Sequence, residues 1–173
     1  MKLPLKIGLK QILWKLFQNG GMSREEKVVI PDFSFKTFHF VSENKEGVAI
    51  INKGLLDIFG SEVFVWNLSV MFHYRNHTDK GIPEGEDLER VSKYIKSLDY
   101  RMNPDSKKPN ALFLGYLIWN DTTEAIWRVY QATEVNKLLV EELKVKDYPE
   151  PFDYRIDPDK SWELCSWHLK AVK

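Results

Sequence analysis

The run Val63 to Arg75 constrains this chain more than any other segment. Phe64, Trp66, Leu68, Val70, Phe72 and Tyr74 alternate with Val63, Val65, Asn67, Ser69, Met71, His73 and Arg75. Successive side chains of a strand point to opposite faces, so the pattern predicts a long strand with one apolar face and one mixed face. A sheet covered by helices on one side produces that contrast.

The flanking segments supply the rest of such a sheet. Phe33 to Phe40 alternates aromatic and polar positions, Ser42 to Gly47 reads as a turn, and Val48 to Asn52 resumes a β-rich run, which predicts a hairpin. Leu55 to Gly60 reads as a short irregular or helical connection. After the polar loop Asn76–Gly85, Leu88, Val91, Ile95 and Leu98 recur at helical spacing with acids at the start, predicting a helix over 86–98. Ala111–Trp119 and Ala125–Tyr130 flank Asn120–Glu124 as a second hairpin. A helix over 133–144 follows, with Val135, Leu138, Leu139 and Leu143 inward and Thr133 placed to cap it. Phe152, Tyr154 and Ile156 alternate as a last strand, and Asp157–Lys170 reads as a terminal helix with Trp162, Cys165 and Leu169 on one face. From Val63 the order is strand, helix, strand, strand, helix, strand. It predicts an α+β, ferredoxin-like (split βαβ) antiparallel sheet, extended by the N-terminal hairpin, with helices mainly on one face.

Two units divide the chain on this reading: an N-terminal extension over 1–21 and a single α+β domain over 22–173. In Lys2–Phe17, Leu5, Leu9, Ile12, Leu13 and Leu16 alternate with Lys6, Lys10 and Lys15 at amphipathic helical spacing, and Gly20 and Gly21 end the pattern. Lys10 interrupts the apolar run, so neither a signal peptide nor a membrane span is predicted. Packing on the domain, docking on a partner, or lying on a membrane surface are all open to it. Met22 is a second candidate start of translation.

A mass of 20.4 kDa implies that about 70% of the unfolded surface is buried on folding, enough for one core. Twenty-five Lys plus Arg balance twenty-five Asp plus Glu, so no global charge pulls the chain toward polyanions. The single cysteine, Cys165, excludes an internal disulfide and cysteine-rich zinc sites, and reads as a packed small hydrophobe in a cytoplasmic protein.

No catalytic spacing emerges. His73 and His77 stand four apart, but one belongs to a strand and the other to a loop, so only a weak metal candidate, His73, His77 and Asp79, remains. Ser69 and His73 share a strand face with their Cα atoms roughly 13 Å apart, too far for a nucleophile and its base. The glycines form no phosphate loop, dinucleotide fingerprint or nucleophile elbow, and no cofactor is expected. Glu84, Glu86, Asp87 and Glu89 complement a helix dipole.

Several stretches together resemble a known family. Pro31-Asp-Phe-Ser-Phe-Lys-Thr-Phe-His-Phe40, Gly47-Val-Ala-Ile-Ile-Asn52, the junction Gly81-Ile-Pro83 with Glu86 and Leu88, and Tyr154–Trp162 with Asp157-Pro158 are similar to the bacterial "domain of unknown function 695" family over about Pro31 to Leu169. That family is uncharacterised. Some members are joined to a domain similar to regulator of ribonuclease E activity B, which works by binding another protein; the resemblance therefore implies regulation rather than catalysis.

The expected function is a small cytoplasmic, non-catalytic protein-binding or regulatory module, or a self-associating one. The candidate contact residues are His73, Arg75, His77, Tyr116, Trp119, Arg128 and Tyr130, and Trp119, Trp127 and Trp167 are either core or hot-spot rings. An RNA-binding open sheet using His73 and Arg75 with Tyr116, Arg128 or Tyr130 is the first alternative, though no aromatic ribonucleoprotein signature occurs. A hydrolase or metal-dependent enzyme with an unrecognised site is the second.

Overall fold

The computed structural model describes residues 10–16, 24–58, 61–76 and 78–173. Strands β1 (Lys10–Leu16) and β2 (Arg24–Ile30) pair antiparallel, with Lys10 opposite Ile30 and Leu16 opposite Arg24. The helix expected over Lys2–Phe17 is thus a strand across Lys10–Leu16; the remainder of that stretch, with Gly20, Gly21 and Met22, lies outside the described residues. A lone helix of about 12–15 residues is marginal in water, whereas pairing with Arg24–Ile30 gives the backbone groups partners at once.

The main body is α+β. Its six-stranded open antiparallel sheet contains β3 (Phe35–Ser42), β4 (Lys45–Asn52), β5 (Trp66–His73), β6 (Ala111–Trp119), β7 (Thr122–Val129) and β8 (Phe152–Pro158), in the spatial order β3-β4-β6-β7-β5-β8. Helices α1 (Gly85–Met102) and α2 (Ala132–Val145) interrupt the strands, and a short α3 (Ser166–Ala171) ends the chain. Both predicted hairpins form, with tighter turns and longer strands than the polar stretches suggest. Glu43 and Asn44 have φ of 50° and 61°, and Asn120 and Asp121 have 51° and 55°. Positive φ at both central positions matches the right-handed strand twist in a two-residue loop, and Asn and Asp tolerate it.

Alternation along the strands separates two cores. On the first face, Leu68, Val70, Phe72 and Tyr74 of the β5 segment meet Val91, Ile95, Leu98 and Met102 of α1, Val135 and Leu139 of α2, and Trp127 of β7. Apart from Met102 and Trp127, these are predicted inward positions. Gln131, not Thr133, precedes α2, and it makes no side-chain cap; Lys146 in the left-handed region closes the helix. On the second face, Val28 and Ile30 of β2, Ala49 and Ile51, Leu112 and Leu114, Ile126, Trp162, Cys165 and Val172 form the other cluster. Phe64 belongs to this second cluster and not with Leu68, because the chain ahead of β5 turns through a short 3-10 helix at Ser61–Val63 and breaks the alternation. At Gly115, φ is 150° and a Cβ would stand 2.1 Å from the Ile50 carbonyl oxygen; the register shift between Phe113 and Gly115 requires that residue to be glycine.

The terminal helix is shorter than Asp157–Lys170. β8 runs to Pro158, and Asp159 then turns the chain: its carboxylate accepts the amides of Glu163 at 2.8 Å and Leu164 at 3.1 Å, while Trp162 sits at φ 60°. An acid that bonds its own downstream amides offers the backbone an alternative to helix, and regular helix begins only at Ser166. Trp162, Cys165 and Leu169 still reach the same cluster.

Candidate functional site

Strand register places a cleft on the second face. One cross-strand row runs from His73 through Thr122, Trp119 and Gly47 to Phe40, each directly opposite the next. The adjacent row on the same face runs Met71, Glu124, Leu117, Ala49, Phe38. Phe40, Trp119 and Thr122 from the first row and Met71, Glu124 and Leu117 from the second line a cavity of about 350 Å³, with Ser42 at the β3 end. Trp167 of α3 also lines it and remains 46% exposed.

Each wall is held from below. Gly47 has no side chain, so the Phe40 ring lies across its Cα; a Cβ there would stand 2.4 Å from Phe40 Cζ. Trp119 Nε1 donates to the Ser42 carbonyl at 3.2 Å, and Thr122 Oγ1 donates to the Trp119 carbonyl at 2.7 Å across the tight turn. Lys45 Nζ donates to Asn120 Oδ1 and ties the two hairpin turns together. The Trp167 ring stacks on His168, with centroids 3.9 Å apart. His168 is buried, neither ring nitrogen has a hydrogen-bond partner among the described residues, and burial pushes its pKa down to about 4, opposed by the Cys165 backbone.

Among the described residues, Glu124 is the only ionisable group lining the cleft. Ser69 Oγ donates to its Oε1 at 2.5 Å, and among the described residues no basic side chain pairs with it. His73 bonds a different acid, its Nε2 lying 2.7 Å from Asp153 Oδ2. Ser69 and His73 therefore serve two separate carboxylates, and their shared strand face does not make them a nucleophile–base pair.

The other expected contact residues are dispersed. Arg128 is fully buried at the far end of the same face. Its Nη1 donates to Asp159 Oδ2 at 2.7 Å and Asn67 Oδ1 at 3.2 Å, its Nη2 donates to the Phe64 and Asp159 carbonyls, and the guanidinium lies 4.7 Å from the Trp162 ring centre. The residue is a clamp that holds the C-terminal segment on the sheet. Tyr116 is on the helix-covered face, its ring 6.1 Å from Phe113. Tyr130 packs against the second-face cluster at the opposite end of the sheet. Arg75 is exposed beyond β5, with Nε 3.8 Å from Glu150, a buried acid that also faces Arg90. His77 lies outside the described residues; Asp79 is exposed in the loop that precedes α1. Among the described residues no three His, Cys, Asp or Glu side chains converge as metal ligands. Cys165 is buried, with its thiol pushed up to about 11 by burial, as a packed small side chain. Of the three tryptophans in question, Trp127 is core, donating Nε1 to Asp99 at 2.9 Å, while Trp119 and Trp167 line the cleft.

Phe40, Met71, Leu117 and Glu124 were not among the expected contacts, though β5 alternation places Met71 beside His73. A second cavity, about 240 Å³, lies between the β2–β3 link and the end of α1, lined by Ile30, Phe33, Asp99 and Asn103. Burial raises the Asp99 carboxyl pKa there, opposed by the Trp127 bond. Among the described residues, Asn103 and Trp127 are the side chains hydrogen-bonded to the Asp99 carboxyl. No helix among the described residues is long and apolar enough to cross a membrane.

No curated protein and no solved structure matches the chain. Residues 36–167, spanning β3 to the start of α3, match a family of unknown function (DUF695), and the chain belongs to that family.

Proposed function

We propose that this protein is a non-catalytic protein-binding module of regulatory type, and that it engages its partner through the second-face cleft. One observation carries the reading: two tryptophans, one of them half exposed, border a cavity whose lining is largely apolar. Binding energy at interfaces concentrates in aromatic anchors and the pockets that receive them. The separation of Ser69 and His73 onto different acids also favours binding over acyl transfer. The same proposal takes the fold to be ferredoxin-like. The spatial order β8-β5-β7-β6, with α1 and α2 as the crossovers, supports that assignment, with β3 and β4 as its extension. A bacterial cytoplasmic setting is compatible with a single buried thiol.

Capture of partners by the tagged full chain from native lysate, with and without nuclease, tests the reading when Trp167→Ala is run in parallel. The expected result is a stoichiometric protein that survives nuclease and is lost from the variant, with the melting temperature nearly unchanged. Recovery of RNA that disappears with nuclease would replace the reading with the open-sheet alternative. Partner loss together with an equal loss of stability would show that Trp167 is structural.

A further inference from the structure

The chemistry of the cleft narrows what the partner presents. Phe40, Trp119 and Trp167 contribute rings, Met71 a polarisable thioether, and Glu124 the only formal charge among the described residues. Aromatic faces carry negative potential, so all of these groups favour a cation and oppose an anion. Glu124 is fixed from one side by Ser69 and has no basic partner among the described residues, so its second oxygen is available to a ligand. A carboxylate in an apolar, partly desolvated setting gains most from a charge that arrives with the ligand. A cavity of about 350 Å³ accommodates one long side chain, with its aliphatic stem against Leu117 and Met71.

We propose that the cleft receives a single lysine or arginine side chain of the partner protein, with Glu124 as its counter-ion and Phe40, Trp119 and Trp167 as its walls. This inference rests on the binding-module reading and names the chemistry of that same site. Its occupant is a cationic side chain on a protein surface, and a second copy of this chain is one source that the test resolves.

The test titrates the full chain with N-acetyl-lysine amide, N-acetyl-arginine amide and the neutral N-acetyl-norleucine amide. The indole N–H signals of the tryptophans, followed by NMR, report binding. Either cationic probe should shift the Trp119 and Trp167 signals, and norleucine should bind about fivefold more weakly. Added salt should weaken the cationic probes and leave norleucine unaffected. Glu124→Gln keeps the side-chain shape and an acceptor for Ser69, and should erase the preference without moving the melting temperature. Equal binding of norleucine, or a preference that survives both salt and Glu124→Gln, overturns the cation assignment and leaves the cleft standing as an apolar docking site. Absence of any probe-induced shift also overturns it; partner capture by wild type against Trp167→Ala then decides the module reading separately. Sedimentation of the probe-free protein identifies self-association, which lysine amide should reverse if the side chain comes from a second copy.

Discussion

Two charged residues on one strand have opposite fates. Glu124 and Arg128 lie four apart in β7 and point to the same second face of the sheet. Arg128 receives its counter-charge from within the chain: Asp159 reaches it, Asn67 and two carbonyls accept from its Nη1 and Nη2 groups, and the Trp162 ring packs against it. Among the described residues Glu124 receives only a serine hydroxyl, and it stands in a cavity open to solvent. The chain past β8 explains the difference, because it covers the Arg128 end and extends only Trp167 over the Glu124 end. A charge the fold has neutralised serves stability, and a charge it has left without a partner is available for binding.

The largest test of this contrast is Asp159→Ala. It leaves Arg128 buried without its anion and removes the acceptor for the Glu163 and Leu164 amides, so chemical denaturation should show a loss of about 3–5 kcal/mol. A loss below about 1 kcal/mol would mean that the clamp does not hold the segment. Acid provides the next test. The folded-state pKa of His168 is lowered, so the unfolded chain binds the proton more readily, and the stability present above about pH 6.5 is lost as pH falls toward about 4. The decline should amount to about 3 kcal/mol, and His168→Phe should flatten that part of the stability–pH profile. An unchanged profile in the variant would assign the acid sensitivity to other groups.

Gly47→Val addresses the cleft itself. The new side chain would collide with the Phe40 ring, displacing that wall and costing about 1–3 kcal/mol by overpacking. Probe binding should fall in the same variant; retention of full affinity would remove Phe40 from the site. The smallest effect on stability is expected for Trp167→Ala, about 1 kcal/mol in a melting experiment, because its ring is already half exposed. That small change accompanied by complete loss of partner is the signature of a contact residue.

Periodicity made the sheet and its two long helices legible. The alternation through Leu68, Val70 and Phe72 and the helical spacing of Val91, Ile95 and Leu98 each named a buried face correctly, because burial of one face imposes the period on the sequence. Lys10–Leu16 misled because its leucines and lysines fit a helical period, while the pairing that makes it a strand lies in Arg24–Ile30. The C-terminal stretch misled because Asp159 bonds downstream amides, which hydrophobic spacing does not register. Arg128 was expected as a contact residue, and it is not one because its anion arrives from 31 positions away.

The order of elements from β5 to β8, the one-sided apolar pattern of β5, the absence of a catalytic motif and the family resemblance were all properties of the sequence by itself. They are local or pairwise regularities, written into a chain by the need to bury apolar faces and satisfy the backbone. The cleft was decided only in three dimensions. Phe40, Met71, Leu117, Trp119, Glu124 and Trp167 come from four strands and a helix, and they meet because the two-residue turns set the register between neighbouring strands and the last segment folds back across the sheet. Register and return path depend on contacts between distant positions, and no periodicity within a single segment records them.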